Sequence, residues 1–235
     1  MIAIEGAREA CAAGEVYGVL ARMFTCGPTE QSYGELVRVA QLLACDEFAP
    51  EGIDVAAADA AFEARFVVPG GKAYVPLSEN CIALAGDRPA PAGEVGLPPR
   101  ITWGACTGSR SAHVAECYRA VGFSPDAVRA AAPAAAALRD DALAVELAFM
   151  AYLAACQAWA LDGEGADGAI LSEAAAASAE QARAWQERFL HDHLLCWVGK
   201  AAAVMARTGD DLYTRAALLT EAWCKFDIER VTAQA

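Results

Sequence analysis

One apolar segment constrains the fold of this chain more than any other feature. Ala142–Leu161 is 20 residues long, and only Glu146 and Gln157 interrupt its apolar run. That length could cross the hydrocarbon core of a bilayer. Its flanks are acidic where membrane spans usually carry Lys or Arg, and no second segment could join it in a bilayer. We therefore predict a central helix buried on all sides by other helices, and no stable membrane insertion.

Helical periodicity dominates the rest of the sequence. Alanine, the strongest helix former, makes up about a quarter of the residues. Sustained alternation of β-branched residues, which is typical of strands, is almost absent. Apolar spacing and capping residues predict helices around Val16–Met23 and Leu36–Leu43, over Asp54–Val67 and Ser109–Val121, after Asp141, from Ser172 to about Thr208, and after Asp210 or Asp211 with a face of Leu212, Ala216, Leu219, Trp223 and Phe226.

These patterns predict an all-α fold, a single-domain helical bundle over residues 1–235. A long irregular loop, about 68–108 and rich in Pro and Gly, follows the third helix. Irregular segments of that length are rare in compact domains and are usually functional or disordered. A second linker, about 122–139, should hold a short helix that starts at Ser124-Pro125.

The charge of the chain limits its partners. The formal net charge is −13, which disfavours non-specific nucleic-acid binding and favours a basic or a neutral partner. The nine cysteines form no C-x-x-C pair, and scattered reduced thiols fit the cytosol. Met1–Glu5 has neither a basic nor an apolar region of a signal peptide. We expect a cytoplasmic protein.

Two glycine-rich or acidic patterns between the later helices do not predict ligand sites. Gly163–Gly168 matches G-x-G-x-x-G, but it follows a helix where the phosphate fingerprint must follow a strand. Asp162–Glu173 resembles a calcium loop only faintly, because Ala166 takes a ligand position and Asp167 the position of the required Gly. We interpret both as one helix connection.

His193 supports two interpretations. On a helix, His191 and His193 point about 160° apart and cannot share a metal, whereas His193 and Cys196 could. With Phe189 at 0°, His193 falls near 40° and Trp197 near 80°, inside an apolar arc. His193 is then either a satisfied core residue or part of a pocket wall, and His191 faces the polar side.

Glu146 is the other anomaly, because a carboxylate in an apolar helix is costly unless it is paired or hydrogen-bonded. It could form a buried ion pair with Arg65 or Arg119, or accept a hydrogen bond at the base of a groove. The sequence contains no recognisable Ser/His/Asp or Cys/His arrangement. We therefore predict no catalytic residues, no metal and no cofactor.

Three stretches together resemble the TorD/DmsD-type chaperones. Arg139–Met150 is similar to their E-P-D-H-I-x-x-E-L-x-F-M segment, and Phe189–Trp197 to their later F-x-x-x-H-L-x-x-W segment. Phe62–Val67 followed by Pro76–Glu79 resembles their aromatic stretch and the P-x-E-S loop after it. The order, the spacing and the length also agree, so the resemblance spans nearly the whole chain.

The resemblance implies a function. Members of the family are all-helical cytoplasmic proteins that bind the twin-arginine signal peptide of a molybdopterin-dependent oxidoreductase catalytic subunit. They hold that subunit back from export until its cofactor is loaded. This chain departs from the pattern at Ala142, where the family usually has His, at Asp140, where it has Pro, and in the order Pro76–Glu79. It therefore resembles a divergent branch.

A receptor for such a peptide needs an apolar groove with carboxylates at one end. The resemblance puts Asp141 at the position tied to signal-peptide binding, and His193 and Trp197 in the later motif. The predicted peptide-binding residues are Phe66, Tyr74, Pro76, Ser78, Glu79, Asp141, Glu146, Phe149, His193 and Trp197.

Two other classes stay open at this point. The chain could be a metal-binding or cofactor-carrying helical protein that uses His193 and Cys196. It could also be a non-catalytic all-α scaffold that pairs with itself or with another subunit. A homodimer is compatible with each of these functions.

Overall fold

The computed structural model describes residues 2–88, 100–130, 138–162 and 173–233, and these residues form an all-α fold. The helices are α1 (Ile2–Met23), α2 (Glu30–Leu42), α3 (Val55–Phe62), α4 (Glu79–Ala83), α5 (Ser109–Val121), α6 (Asp126–Ala130), α7 (Leu143–Asp162), α8 (Glu173–Phe189), α9 (Leu195–Thr208) and α10 (Leu212–Ala233). The predicted fold class is confirmed.

Helix α7 is the central helix that the sequence predicts. It packs against α1 and α8, and its buried residues include Leu147, Phe149 and Leu153. α1 contacts α7 at Gly14, where an added Cβ would lie in ordinary van der Waals contact with Ala154 Cβ, at 3.5 Å. By length and composition α7 could also cross a membrane, but 61% of its apolar 18-residue stretch is buried inside the protein.

Side-chain and glycine caps set several helix ends where the sequence predicts them. Asp54 accepts a hydrogen bond from Ala57 N at the start of α3, and Asp211 accepts from Tyr213 N and Thr214 N at the start of α10. α5 ends at Gly122, whose φ of 74° is the left-handed conformation that glycine adopts readily. The Ser172 cap and the Gly163–Gly168 motif lie outside the described residues.

A single turn of π-helix separates α8 from α9. The sequence predicts one long helix ending near Thr208, and the two helices do run on to that residue. The π-turn, Leu190–Leu194, contains the His191-Asp192-His193 sequence. It buries His193 and leaves His191 exposed, as the helical wheel predicts. A π-turn inserts one residue into the helix, which is common at functional sites.

The segment predicted as one irregular loop, 68–108, contains regular structure. It holds α4 and two short antiparallel strands, β1 (Gly86–Arg88) and β2 (Arg100–Thr102). A five-residue helix and three-residue strands are too short for a periodicity analysis to detect. The second linker, 122–139, contains α6, and Ser124 Oγ accepts from Asp126 N at its start.

The predicted face of α10 is correct except for its last member. Phe226 is 51% exposed, and the neighbouring Asp227 is fully buried instead. Asp227 accepts a hydrogen bond from Tyr17 Oη at 2.7 Å and one from Arg230 Nε at 2.6 Å. Tyr17 of α1 and Arg230 of α10 therefore stabilise a buried carboxylate where the apolar pattern predicts an aromatic ring.

A buried arginine joins the end of α3 to the connection between α9 and α10. Arg65 lies on a π-turn that extends α3, Glu63–Val67, and its side chain is 1% exposed. It donates four hydrogen bonds, and we call this group the Arg65 cluster. The acceptors are Asp211 Oδ2, Thr208 Oγ1, Gly209 O and Thr214 Oγ1.

Candidate functional site

The loop before α4 runs antiparallel to the start of α7. Ser78 and Ala142 form an isolated antiparallel bridge. Leu143 N donates to Leu77 O at 3.0 Å, and Glu79 N donates to the main-chain oxygen of Asp141 at 2.8 Å. These bonds join two of the three stretches on which the family resemblance depends.

Asp141 holds this loop with its side chain. Its Oδ2 accepts from Ser78 Oγ at 2.7 Å and from Asn80 N at 3.0 Å, and Arg139 Nε lies 3.4 Å from its Oδ1. The expectation that Asp141 caps α7 is therefore wrong. Its carboxylate binds the first turn of α4 because the antiparallel loop brings those donors closer than the amides of α7.

A pocket of about 360 Å³ opens beside this loop, and we call it the loop pocket. Its walls are mainly apolar and aromatic, and Arg139 is the charged residue among them. The lining residues are Phe24, Phe66, Val67, Pro69, Tyr74, Val75, Pro76, Leu77, Ser78, Cys81, Cys106, Leu138, Arg139, Ala142 and Ala144. Four predicted peptide-binding residues, Phe66, Tyr74, Pro76 and Ser78, are among them.

Two thiols lie in the wall of the loop pocket. Cys81 Sγ lies 3.4 Å from Cys106 Sγ, with Cys81 buried and Cys106 exposed. Burial, with the hydrogen bond that Cys81 donates to Cys106, raises the pKa of Cys81 to about 11, so Cys81 is a thiol at neutral pH. All nine cysteines lie in the described ranges and are free thiols.

Behind the loop pocket lies a second buried polar group, which we call the Glu79 cluster: Glu79, Arg110, His113, Cys117, Asp141, Glu146, His193 and Trp197. Glu79 is fully buried at its centre. Its Oε2 lies 2.7 Å from His193 Nδ1, and its Oε1 accepts from Arg110 Nη1 at 2.8 Å. Glu79 therefore links α4 to α5 and to the π-turn.

Glu146 contributes a second carboxyl group to the cluster. Its Oε2 accepts from Trp197 Nε1 at 3.0 Å. Burial, and then the negative charges of Glu79 and Asp141, raise the pKa of Glu146 well above its ordinary value and so favour its protonated form.

The predicted ion pair of Glu146 with Arg65 or Arg119 is wrong. Arg65 belongs to the Arg65 cluster, and Arg119 is exposed and donates to Ala115 O of its own helix. Glu146 has the indole of Trp197 as its partner, and its raised pKa favours the neutral form, which needs no buried cation beside it.

His193 lies between two rings. The ring centroid of Phe189 is 4.7 Å away, and that of His113 is 4.9 Å away in a stacked arrangement. His193 is 2% exposed, and its Nε2 lies 2.8 Å from His113 Nδ1 and 4.0 Å from Cys117 Sγ. Burial raises the pKa of Cys117.

The sequence analysis missed His113 and Cys117. Their spacing of four residues puts both on one face of α5, and this spacing is the sequence feature that could have identified them. The structure does not join His193 to Cys196 as the metal alternative requires. Cys196 is exposed, and its Sγ donates to His191 O at 3.1 Å.

The predicted peptide-binding residues thus fall into three places. Phe66, Tyr74, Pro76 and Ser78 line the loop pocket. Glu79, Asp141, Glu146, His193 and Trp197 form much of the buried cluster behind it. Phe149 lies in the aromatic core between Tyr118 and Phe189, with ring centroids 4.8 Å from each. The predicted carboxylates are therefore buried and do not form an open anionic edge.

A larger groove lies elsewhere, between α1, α2 and α7, and has a volume of about 710 Å³. Small residues such as Gly14, Gly18 and Ala151 form its floor, and the ion pair of Arg22 with Glu35 lies at its edge. It contains none of the predicted peptide-binding residues. We call it the helix groove.

The described residues form an all-α protein with a buried polar cluster and an apolar pocket beside the loop before α4. Residues 100–203, slightly less than half of the chain, match the family model described as the nitrate reductase delta subunit. Two of the three motif stretches lie within the matched residues. The match supports the resemblance, because over these residues the chain is similar to the NarJ/TorD-type chaperone family.

Members of this family are chaperones for molybdoenzyme maturation. No curated protein matches the chain, and no solved structure matches it. The family assignment therefore depends on the family model and on the motifs within it.

Proposed function

We propose that this protein is a cytoplasmic chaperone that binds the twin-arginine leader peptide of a molybdopterin oxidoreductase catalytic subunit in the loop pocket. It would hold the apo subunit back from export while the cofactor is inserted. The observation that carries the proposal is the clustering of Phe66, Pro76 and Ser78, which lie in the stretches similar to the family's aromatic and loop motifs, with Tyr74 between them, around one apolar pocket.

The size and lining of the pocket suit part of a leader peptide. A cavity of about 360 Å³ lies at the lower end of the range for small-ligand sites, so it accommodates a few side chains rather than a whole peptide. Phe24, Phe66 and Tyr74 offer aromatic surface to the apolar residues that follow the two arginines in such a leader.

The arginines of the leader would be attracted by the charge of the whole protein. The three carboxyl groups nearest the pocket, on Glu79, Asp141 and Glu146, are fully buried, and each has a partner inside the protein. The net charge of −13 therefore supplies long-range steering, which raises the association rate and weakens as salt is added.

Asp141 has a positioning role in this proposal. Its bonds to Ser78 and Asn80 hold the wall of the pocket against α7. The family position tied to peptide binding would then act by shaping the pocket, with no direct contact between the Asp141 carboxylate and a peptide arginine.

Calorimetry with the full chain and a synthetic twin-arginine leader tests the proposal. We expect saturable binding in the submicromolar to micromolar range. Replacing Tyr74 or Phe66 with Ala should weaken binding about tenfold or more, because each removes aromatic contact area from the pocket. The matched control is Val19→Ala, which changes the wall of the helix groove and should leave the affinity unchanged.

Two results would overturn the proposal. The first is the absence of binding heat with the leaders of molybdoenzymes encoded beside this gene. The second is unchanged binding by Tyr74→Ala and Phe66→Ala combined with loss of binding by Val19→Ala. That pattern would move the peptide to the helix groove.

A further inference from the structure

Three metal-ligand atoms converge inside the Glu79 cluster. His113 Nδ1, Cys117 Sγ and His193 Nε2 all lie within 4.8 Å of one another. His113 and Cys117 project from α5, one turn apart, and His193 comes from the π-turn between α8 and α9. Among the described residues, this is the group of three or more such side chains that could hold one metal ion.

We propose that His113, Cys117 and His193 bind a zinc-class divalent cation, with water as the fourth ligand. Two imidazole nitrogens and one thiolate form a donor set of borderline softness that zinc favours and that magnesium and calcium do not. None of the three ligands lines the loop pocket, so peptide binding without any metal would contradict this proposal alone and not the proposed function.

The separations are close to those of a coordinated ion. Zinc–nitrogen and zinc–sulfur bond lengths imply about 3.3 Å between two nitrogens and about 3.6 Å between nitrogen and sulfur in a tetrahedron. The nitrogens of His113 and His193 are 2.8 Å apart, and Cys117 Sγ is 4.0 Å from His193 Nε2. Movements of about half an ångström would satisfy both distances, well within the reach of side-chain rotation.

Glu79 prepares His193 for this role. Its buried carboxylate lies 2.7 Å from Nδ1 of His193 and therefore favours the proton on that nitrogen. The lone pair of neutral His193 is then on Nε2, which faces His113 and Cys117. Carboxylates behind a ligating histidine are the usual outer partners of zinc sites, and Arg110 fixes this one at its other oxygen.

The position of the site gives the metal a structural consequence. The ion would tie α5 to the π-turn, directly behind Glu79, whose main chain begins α4 and the wall of the loop pocket. A cation that binds only the folded chain stabilises it in proportion to the logarithm of its concentration above the dissociation constant. The metal would therefore stabilise the segment that presents the loop pocket.

Cobalt titration of the purified, chelator-treated full chain tests the proposal. Cobalt replaces zinc with the same ligands and is coloured. We expect a saturable band of one equivalent, with a near-ultraviolet thiolate charge-transfer component that zinc abolishes by displacement. Cys117→Ser should lose the charge-transfer component, and Glu79→Gln should weaken binding about tenfold or more. Zinc should also raise the melting temperature of the parent chain.

The matched controls use the same residue types at positions close to His193 in the sequence. Cys196→Ser and His191→Ala change exposed side chains and should bind cobalt as the parent does. If Cys117→Ser does not fold, His113→Ala replaces it, because His113 is only half-buried. That variant should lose the rise in melting temperature with zinc.

The proposal is overturned if the parent shows no saturable one-equivalent band, which would leave a His113–His193 hydrogen bond only. It is also overturned if Cys196→Ser loses the thiolate component while Cys117→Ser keeps it. That result would move the metal to the His193/Cys196 pair.

Discussion

The Arg65 cluster and the Glu79 cluster are both buried and polar, but their charges are balanced differently. Arg65 makes four hydrogen bonds, and its ion-pair partner Asp211 also caps α10. The Glu79 cluster contains three fully buried carboxyl groups, while its arginine contacts come from partly exposed side chains. In the first cluster the buried cation has a carboxylate partner and three further acceptors. In the second cluster the buried carboxyl groups outnumber the arginines that contact them.

The difference separates a structural role from a binding role. A satisfied buried cation holds loops in one arrangement and offers no free donor to a ligand. In the Glu79 cluster burial raises the pKa of Glu146, and its Oε1 has no hydrogen-bond partner within the described ranges. Surplus acceptors and a shifted pKa are typical of functional sites, although ion-pair networks also produce them. The variants below test this contrast, from the largest expected effect to the smallest.

Arg65→Met should destabilise the protein most. It removes four hydrogen bonds and leaves Asp211, Thr208 and Thr214 without their buried donor. Breaking a buried ion pair by removing one partner costs about 3–5 kcal/mol. Urea denaturation measures this change in the free energy of unfolding. The control is Arg119→Met, an exposed residue whose loss should cost less than about 0.5 kcal/mol. Equal costs for the two variants would remove the assigned role of Arg65.

Glu146→Gln should change how stability depends on pH. The pKa of Glu146 is raised in the folded chain, so above the ordinary value of 4.5 the unfolded chain releases a proton that the folded chain keeps. The free energy of unfolding therefore falls as pH rises, by at most about 1.4 kcal/mol per pH unit. A glutamine side chain cannot titrate, so Glu146→Gln should gain stability relative to the parent as pH rises above the ordinary pKa of a glutamate, 4.5.

Denaturation at several pH values measures this slope. The control is Glu180→Gln, because hydrogen bonding to Arg183 lowers the pKa of Glu180 and its proton is already released above about pH 5 in both states. That variant should keep the slope of the parent. Identical slopes for Glu146→Gln and the parent would mean that Glu146 is ionised in the folded protein.

The sequence predicts the parts of this contrast that depend on local periodicity. The apolar run of α7, the buried arc that contains His193 and the cap at Asp211 each follow from spacing within one helix. Glu146 also stands out as a carboxylate in an apolar run. The full rise of its pKa does not follow from the run, because beyond burial the charges of Glu79 and Asp141 act on it from other segments.

The rest of the site depends on contacts between distant segments. Ser78 and Asn80 meet Asp141 across more than sixty residues, and His113 meets His193 across eighty. Spacing alone cannot show that an antiparallel loop will redirect Asp141 from α7 to α4. The family motifs identify residues of the site, but they do not separate the walls of the loop pocket from the buried cluster.

Trp197→Phe should have an intermediate effect. It removes the indole donor to Glu146 Oε2 and leaves that oxygen buried without the bond, which costs about 1–3 kcal/mol. Trp159→Phe is the matched control, since Trp159 is 79% exposed on α7 and should change stability by less than about 0.5 kcal/mol. Thermal or urea unfolding compares the pair. If Trp197→Phe costs no more than its control, the Trp197–Glu146 bond does not contribute to the cluster.

Asp141→Asn should have the smallest effect on stability and is informative for that reason. The Asn side-chain oxygen still accepts from Ser78 and Asn80. The ion pair with half-buried Arg139, which the variant loses, is a long contact. We therefore expect the free energy of unfolding to fall by no more than about 1 kcal/mol. Because Asp141 is fully buried, leader-peptide affinity should change less than about threefold.

Asp141→Ala, by contrast, releases the loop and should weaken both stability and peptide binding. Calorimetry and urea denaturation on the two variants separate the possible roles of Asp141. A direct contact with a peptide arginine would make Asp141→Asn lose affinity while keeping its stability. A positioning role makes affinity follow the hydrogen bonds to Ser78 and Asn80, whatever the charge at position 141.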